Sequence, residues 1–193
     1  MEKLVILKLF RKIKHLEAER NRRQKNTKRA KEAAEVLFPG EIWLKKAEWG
    51  ERIYVSSRRK TGVKSNFKDE LRDAQILRDS GSTVYLVPED KKIPGKKYDA
   101  IVDGLQMEFK NMSGTSRETL IDHFYGSRQQ APNVFLNLEV SPLSKDKILR
   151  ILIGARNSPK YHEKNLFYEE GIIIIKNMGH EDLIYLNIDD LKI

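Results

Sequence analysis

The stretch YDAIVDGLQMEFKN, Tyr98 to Asn111, sets two apolar-rich runs on either side of Asp103-Gly104. Asp-Gly in that setting is a strong hairpin signal, because a type I′ turn needs positive φ at both central positions. The turn then fixes the register. It pairs Val102 with Leu105, Ile101 with Gln106, Ala100 with Met107, Asp99 with Glu108 and Tyr98 with Phe109. Since side chains alternate along a strand, Tyr98, Ala100, Val102, Leu105, Met107 and Phe109 are expected on one core-facing side, and Asp99, Glu108 and Lys110 on the other.

Directly opposed residues have Cβ atoms about 4.5–5.5 Å apart, so two facing carboxylates repel unless a cation lies between them. Mg²⁺ or Mn²⁺ suits that role: Mg²⁺ is typically held by one or two carboxylates, waters and substrate phosphate, and such ions polarise a phosphoryl group. Lys110 would then stabilise developing negative charge or position the attacking water. The alternative is an exposed sheet face decorated with charge, although such a face more naturally sets Asp against Lys than against Glu.

The segment from about Phe67 to Ser80 reads as a helix stopped by Gly81, with Phe67, Leu71, Ala74 and Leu77 as its apolar stripe. Glu70 falls inside that stripe. A carboxylate aimed at a core must be paired, metal-bound or protonated, which makes Glu70 a fourth candidate site residue; the alternative is a stripe-edge Glu that snorkels or pairs with a Lys.

A helix carrying Glu, the strand Val84-Tyr85-Leu86-Val87, an Asp strand, a Glu-Phe-Lys strand and a further helix follow one another in this order. That order resembles the PD-(D/E)xK nuclease superfamily, and within it the tRNA nuclease domain at the C-terminus of contact-dependent growth inhibition toxins and its phage-encoded relatives. The likeness rests on DELRDAQILRDSGSTVYLVPE, YDAIVDG and MEFKN, between about Asn66 and Val140. It implies a metal-binding Asp, the Glu and Lys of an E-x-K element and a Glu on the preceding helix, which map onto Asp99, Glu108, Lys110 and Glu70. Tyr98 stands where the family usually has proline. The resemblance further implies RNA, particularly tRNA, as substrate, an inhibitor or immunity protein as partner, and a cytoplasmic site of action, with delivery as part of a larger toxin left open. A DNA endonuclease of the same fold and a non-catalytic nucleic-acid-binding module are the alternatives.

Composition sets wider bounds. The 193 residues suit one domain with an appendage, and the absence of Cys excludes disulfides, thiolate catalysis and Cys-ligated metal. Of the net charge of +9, residues 1–34 hold 12 Lys and Arg against 4 Glu, a net +8, so the basicity belongs to an N-terminal arm. Such an arm can grip phosphates through counterion release; a membrane-surface helix, a partner-binding helix and a helix packed on the body are rival readings. The run Leu4 to Phe10 is interrupted by Lys8 and lacks a cleavage site, so neither a secretory signal nor a transmembrane segment is expected. The chain is thus read as a basic helical arm over 1–38 and an α/β domain over 39–193, a mixed central β-sheet flanked by helices, with the motifs at 66–140.

In the intervening stretch, Arg58, Arg59, Lys60 and Lys64 are expected to meet phosphates from a loop bordering the site, while Trp43, Trp49 and Tyr54 read as core packing more readily than as stacking platforms for bases. Beyond the hairpin, Thr115-x-x-Glu118 predicts a capping box for a helix to about Gln130, with Leu120, Ile121 and Phe124 inward. Arg117 and Arg128 on that helix are candidates for holding a phosphate, with snorkelling as the alternative. Strands are expected at Val134–Val140, Ile148–Ile153, Ile172–Ile175 and Leu183–Leu186. The four His residues lack metal-ligand spacing and read as surface or satisfied polar groups.

Overall fold

A computed structural model describes residues 21–60, 66–88, 98–163, 170–177 and 182–191. The chain forms a mixed α/β fold around one eight-stranded sheet whose strands lie side by side in chain order. The strands are β1 (Trp43–Leu44), β2 (Ile53–Ser56), β3 (Val84–Leu86), β4 (Ala100–Val102), β5 (Leu105–Asn111), β6 (Asn133–Leu138), β7 (Ile172–Asn177) and β8 (Ile184–Asn187). Pairs β2/β3, β5/β6 and β6/β7 are parallel and the other four antiparallel, so five strands point one way and β1, β4 and β8 the other. The parallel strands are linked by crossover helices, as parallel pairing requires.

Helix α1 spans residues 21–37, and α2 (Phe67–Asp79), α3 (Arg117–Arg128), α4 (Lys145–Arg156) and α5 (Pro159–Glu163) follow. Ala74 and Leu77 of α2 pack on one sheet face with Ile53, Val55, Val84, Leu86, Ala100, Val102, Met107 and Phe109. On the opposite face α3 and α4 cover Val134, Leu136, Ile173 and Ile175, and α1 covers Tyr85 and Ile101 through Ala30 and Ala34. Central strands buried on both faces read as continuous apolar runs rather than alternating ones, which is why Ile172 to Ile175 carries four successive Ile. The described part of the basic arm is therefore a helix packed on the body. Its residues before 21 lie outside the described residues.

The hairpin has the expected register from Val102↔Leu105 to Ala100↔Met107. Asp103 and Gly104 take φ of 52° and 92°, the two positive values of a type I′ turn. The Asp103 carboxylate also accepts the Thr83 amide at 2.8 Å, which ties the turn to the start of β3. The regular ladder ends at Ala100. There the Asp99 amide donates to the Met107 carbonyl at 3.1 Å, one residue out of step with an Asp99↔Glu108 pair. Tyr98 is accordingly turned to the other face, where it packs with Phe38 and Ile101 instead of joining Ala100 and Val102, and Leu105 at the turn is 39% exposed.

Two further expectations are corrected. Ile148–Ile153 lies within α4, not in a strand: Ile148, Ile151, Leu152 and Ala155 are buried at helical spacing, and Ser144 caps the helix by accepting the Lys147 amide at 3.4 Å. The cap of α3 is Ser116 rather than Thr115, with Ser116 Oγ accepting the Thr119 amide at 3.1 Å and donating to Glu118. Trp49 is buried in the core, Trp43 meets Tyr85 edge-on and Tyr54 stacks on Tyr85, so the three aromatics serve packing.

Candidate active site

Strands β2, β3, β5, β6 and β7 end on the same edge of the sheet, the edge where open α/β sheets accept ligands. A cleft of about 310 Å³ lies there, lined by Asn66, Asp69, Glu70, Asp99, Glu108, Phe109, Lys110 and Asn111. The four acids and lysine singled out at the hairpin and on α2 thus include the residues the structure gathers: Glu70, Asp99, Glu108 and Lys110 share one cavity.

Each is positioned by its element. Asp99 precedes β4 at the point where the ladder breaks, and its Oδ2 accepts the Phe109 amide at 2.9 Å, so a backbone donor that would otherwise lack a strand partner orients the carboxylate. Glu108 and Lys110 are two apart on β5 and share a face, with Lys110 Nζ donating to Glu108 Oε1 at 2.5 Å. Glu108 is 3% exposed. Its Oε2 is buried without a hydrogen-bond partner among the described residues. Burial, then the negative charge of Asp99, push the Glu108 carboxyl up to about 8, against the pull of Lys110. The side chain is thus held in a pocket that penalises its charge and leaves one oxygen unused, a combination characteristic of sites that await a ligand.

Glu70 reaches the cleft from the first turn of α2 and is paired with Arg59. Arg59, expected as a solvent-facing phosphate contact, is instead buried: Nη2 donates to Glu70, and Nη1 to the carbonyls of Val87 and Asp99, the latter at 3.2 Å. A long guanidinium with two carbonyl acceptors and one carboxylate can be buried where a lone charge cannot. Arg58, on the exposed side of the same turn, pairs with Glu41, whose carboxylate also accepts Ser56 Oγ. Lys60 is exposed, and Lys64 lies outside the described residues.

The two arginines of α3 do not meet in the cleft. Arg128 is fully buried and donates to the Pro132 and Glu170 carbonyls, joining the end of α3 to the strand entrances of β6 and β7. Its place among backbone acceptors in the core excludes the expected phosphate contact. Arg117 is exposed, with its Nη2 3.7 Å from where a Cβ on Gly154 of α4 would stand.

Two residues escaped the sequence reading. Asp73, one turn beyond Glu70 on α2, is fully buried and accepts the side-chain amides of Asn111 and Asn137, each at 2.6 Å. Burial pushes its carboxyl up to about 6, against those two hydrogen bonds. It ties α2 to the ends of β5 and β6 and so steadies the cleft; the signal available was its place three residues from Glu70 and four from Leu77. His123 on α3 is half-buried and held below its ordinary range by burial and then by the charge of Lys110, which sets it near the same lysine.

No protein-family model matches the chain, and no curated protein matches its sequence. Among solved structures it is similar to the CdiA-CT/CdiI toxin and immunity complex from Burkholderia pseudomallei, at 18% identity and a TM-score of 0.48, over 68% of this chain and 97% of the other. Likeness at that level transfers no residue's role. Among the described residues no three Asp, Glu, His or Cys side chains stand close enough together to hold a metal ion, and none of the helices is long and apolar enough to cross a membrane. The acidic nucleus of the cleft is the pair Asp99 and Glu108, with Glu70 held apart by Arg59.

Proposed function

We propose that the protein is a metal-dependent nuclease that hydrolyses phosphodiester bonds at the cleft formed by Asp99, Glu108 and Lys110. The observation that carries this reading is the unpartnered, buried Oε2 of Glu108 beside Asp99 in a cleft open to solvent. Two hard oxygen ligands with room for waters and a phosphate fit Mg²⁺ or Mn²⁺, which tolerate a partly protein-built shell. When bound, such an ion supplies Lewis-acid polarisation of the phosphoryl oxygen and activation of water.

The chain's own residues do the rest. Asp99, oriented by the Phe109 amide, and Glu108 hold the ion. In the metal-free state Lys110 balances Glu108. With Glu108 neutralised by a cation, the Lys110 ammonium is released toward the cleft, where it steadies the charge that develops on the phosphate. His123 stands behind Lys110 and shifts with its charge.

The substrate is a nucleic acid, approached through the exposed Arg22, Arg23, Lys25, Lys28, Arg29 and Lys31 of α1 and through Lys60. RNA, and tRNA in particular, is the substrate implied by the family resemblance of the Glu70, Asp99 and Glu108-x-Lys110 elements, with an immunity protein as cognate inhibitor and the cytoplasm as site of action. Duplex DNA is the competing substrate, since the same chemistry serves both. Incubating the protein with total tRNA, single-stranded DNA and duplex DNA, each with Mg²⁺, Mn²⁺ or chelator, tests the proposal. Metal-dependent loss of tRNA is expected; cleavage confined to DNA would reassign the substrate, and retention of all three intact would remove the catalytic reading.

A further inference from the structure

We infer that the cleft takes one divalent cation, held by Asp99 and Glu108, and that Arg59 keeps Glu70 out of its coordination sphere by occupying that carboxylate itself. The inference rests on the nuclease reading above and adds the stoichiometry of the site and a division of labour among its three acids.

The acids differ in what already neutralises them. Glu108 offers Oε2, buried and without a partner, while its other oxygen takes Lys110. Glu70 Oε2 is taken by the Arg59 guanidinium, whose side chain is 1% exposed. Arg stays protonated at every accessible pH, so this charge cannot be removed by losing a proton. Nor can it swing aside, because its Nη1 holds the Val87 and Asp99 carbonyls, and departure would leave both without that donor in a buried setting. A divalent ion bound to Glu70 would stand against a fixed positive charge where screening by water is weak.

The same guanidinium touches the peptide that carries the first ligand. Its contact with the Asp99 carbonyl places Arg59 between α2 and the start of β4, so it acts as a positioning residue for Asp99 while neutralising Glu70. The turn that delivers it is itself anchored. Ser56 Oγ accepts the Arg58 amide at 3.1 Å, and Arg58 is paired with Glu41, which leaves Arg59 no course but inward.

Mn²⁺ titration of the full chain, followed by calorimetry and by the electron paramagnetic resonance signal of free Mn²⁺, tests this without recourse to activity. Wild type is expected to bind one Mn²⁺ per chain. Asp99→Asn should weaken binding by about tenfold or more, in the range found for altered metal environments, while Glu70→Gln, which keeps an acceptor for Arg59, should change it by less than about threefold. Arg59→Met leaves Glu70 without its cation and is expected, where it folds, to bind a second Mn²⁺. The wild-type stoichiometry needs no variant and decides the matter if that protein does not fold. Two ions in wild type, or a loss with Glu70→Gln as large as with Asp99→Asn, would overturn the inference and leave the nuclease reading standing. No Mn²⁺ binding by wild type would overturn both.

Discussion

Replacing Glu108 by Gln should make the metal-free protein more stable, and the gain should grow with pH. The Glu108 carboxyl is pushed up from 4.5 to about 8, first by burial and then by Asp99. An acid whose folded pKa is raised binds more protons folded than unfolded between those two values, so it subtracts stability as pH rises through that window and its full penalty is reached above the folded pKa. At about 1.4 kcal/mol per unit, the wild-type chain loses roughly 3–4 kcal/mol from this group between about pH 5 and pH 8. Gln keeps the shape, cannot ionise and still offers an acceptor to Lys110, whose side chain is 22% exposed and can turn to water. Urea unfolding of wild type and Glu108→Gln in chelator at pH 5, 6.5 and 8 measures the difference, with Asp73 and His123 titrating alike in both proteins. A gap that widens in favour of the variant toward pH 8 is expected. A gap independent of pH, or a wild type that gains on the variant as pH rises, would refute the assignment of Glu108 as a destabilised, ligand-awaiting carboxyl.

Other substitutions probe the scaffold beneath the cleft. Asp73→Ala strips two Asn side-chain amides of their acceptor and should lower stability by roughly 2–4 kcal/mol, read by urea unfolding, with a parallel loss of Mn²⁺ affinity as α2 loosens from β5 and β6. Arg128→Met leaves the Pro132 and Glu170 carbonyls without their donor and should destabilise by about 2–4 kcal/mol, yet the folded fraction should bind nucleic acid with unchanged affinity in a filter-binding assay. Gly171→Ala should prevent folding as judged by near-ultraviolet circular dichroism, since its Cβ would stand 1.9 Å from the Pro132 carbonyl oxygen at a φ of 140°.

What the sequence made legible was local. Asp103-Gly104 needs two positive φ values, and that requirement alone carried the register to Ala100↔Met107. It could not carry one residue further, because the break at Asp99 depends on the Phe109 amide choosing a side chain over the strand, a contact between partners ten residues apart. Ile148–Ile153 misled because a short apolar run fits a buried strand and a buried helix equally; Ser144 and the spacing of Ile148, Ile151, Leu152 and Ala155 arbitrate once the run is extended on both sides. Arg59, Asp73 and Arg128 were opaque for a common reason. Whether a charged residue meets solvent or the core is decided by partners far along the chain, Glu70 and Val87 for Arg59, Asn111 and Asn137 for Asp73, Pro132 and Glu170 for Arg128, and no periodicity within one helix or loop reveals them.

The central claim, that Asp99 and Glu108 form a metal-dependent phosphodiesterase centre, meets its most direct test in single-turnover cleavage of tRNA by wild type and Asp99→Asn, with RNA binding measured in the same samples. The Asn side chain retains an oxygen for the Phe109 amide, so fold and RNA affinity should be preserved while Mg²⁺-dependent cleavage falls by about 10²-fold or more. Equal cleavage by the two proteins, or cleavage by wild type that persists in chelator, would contradict the account.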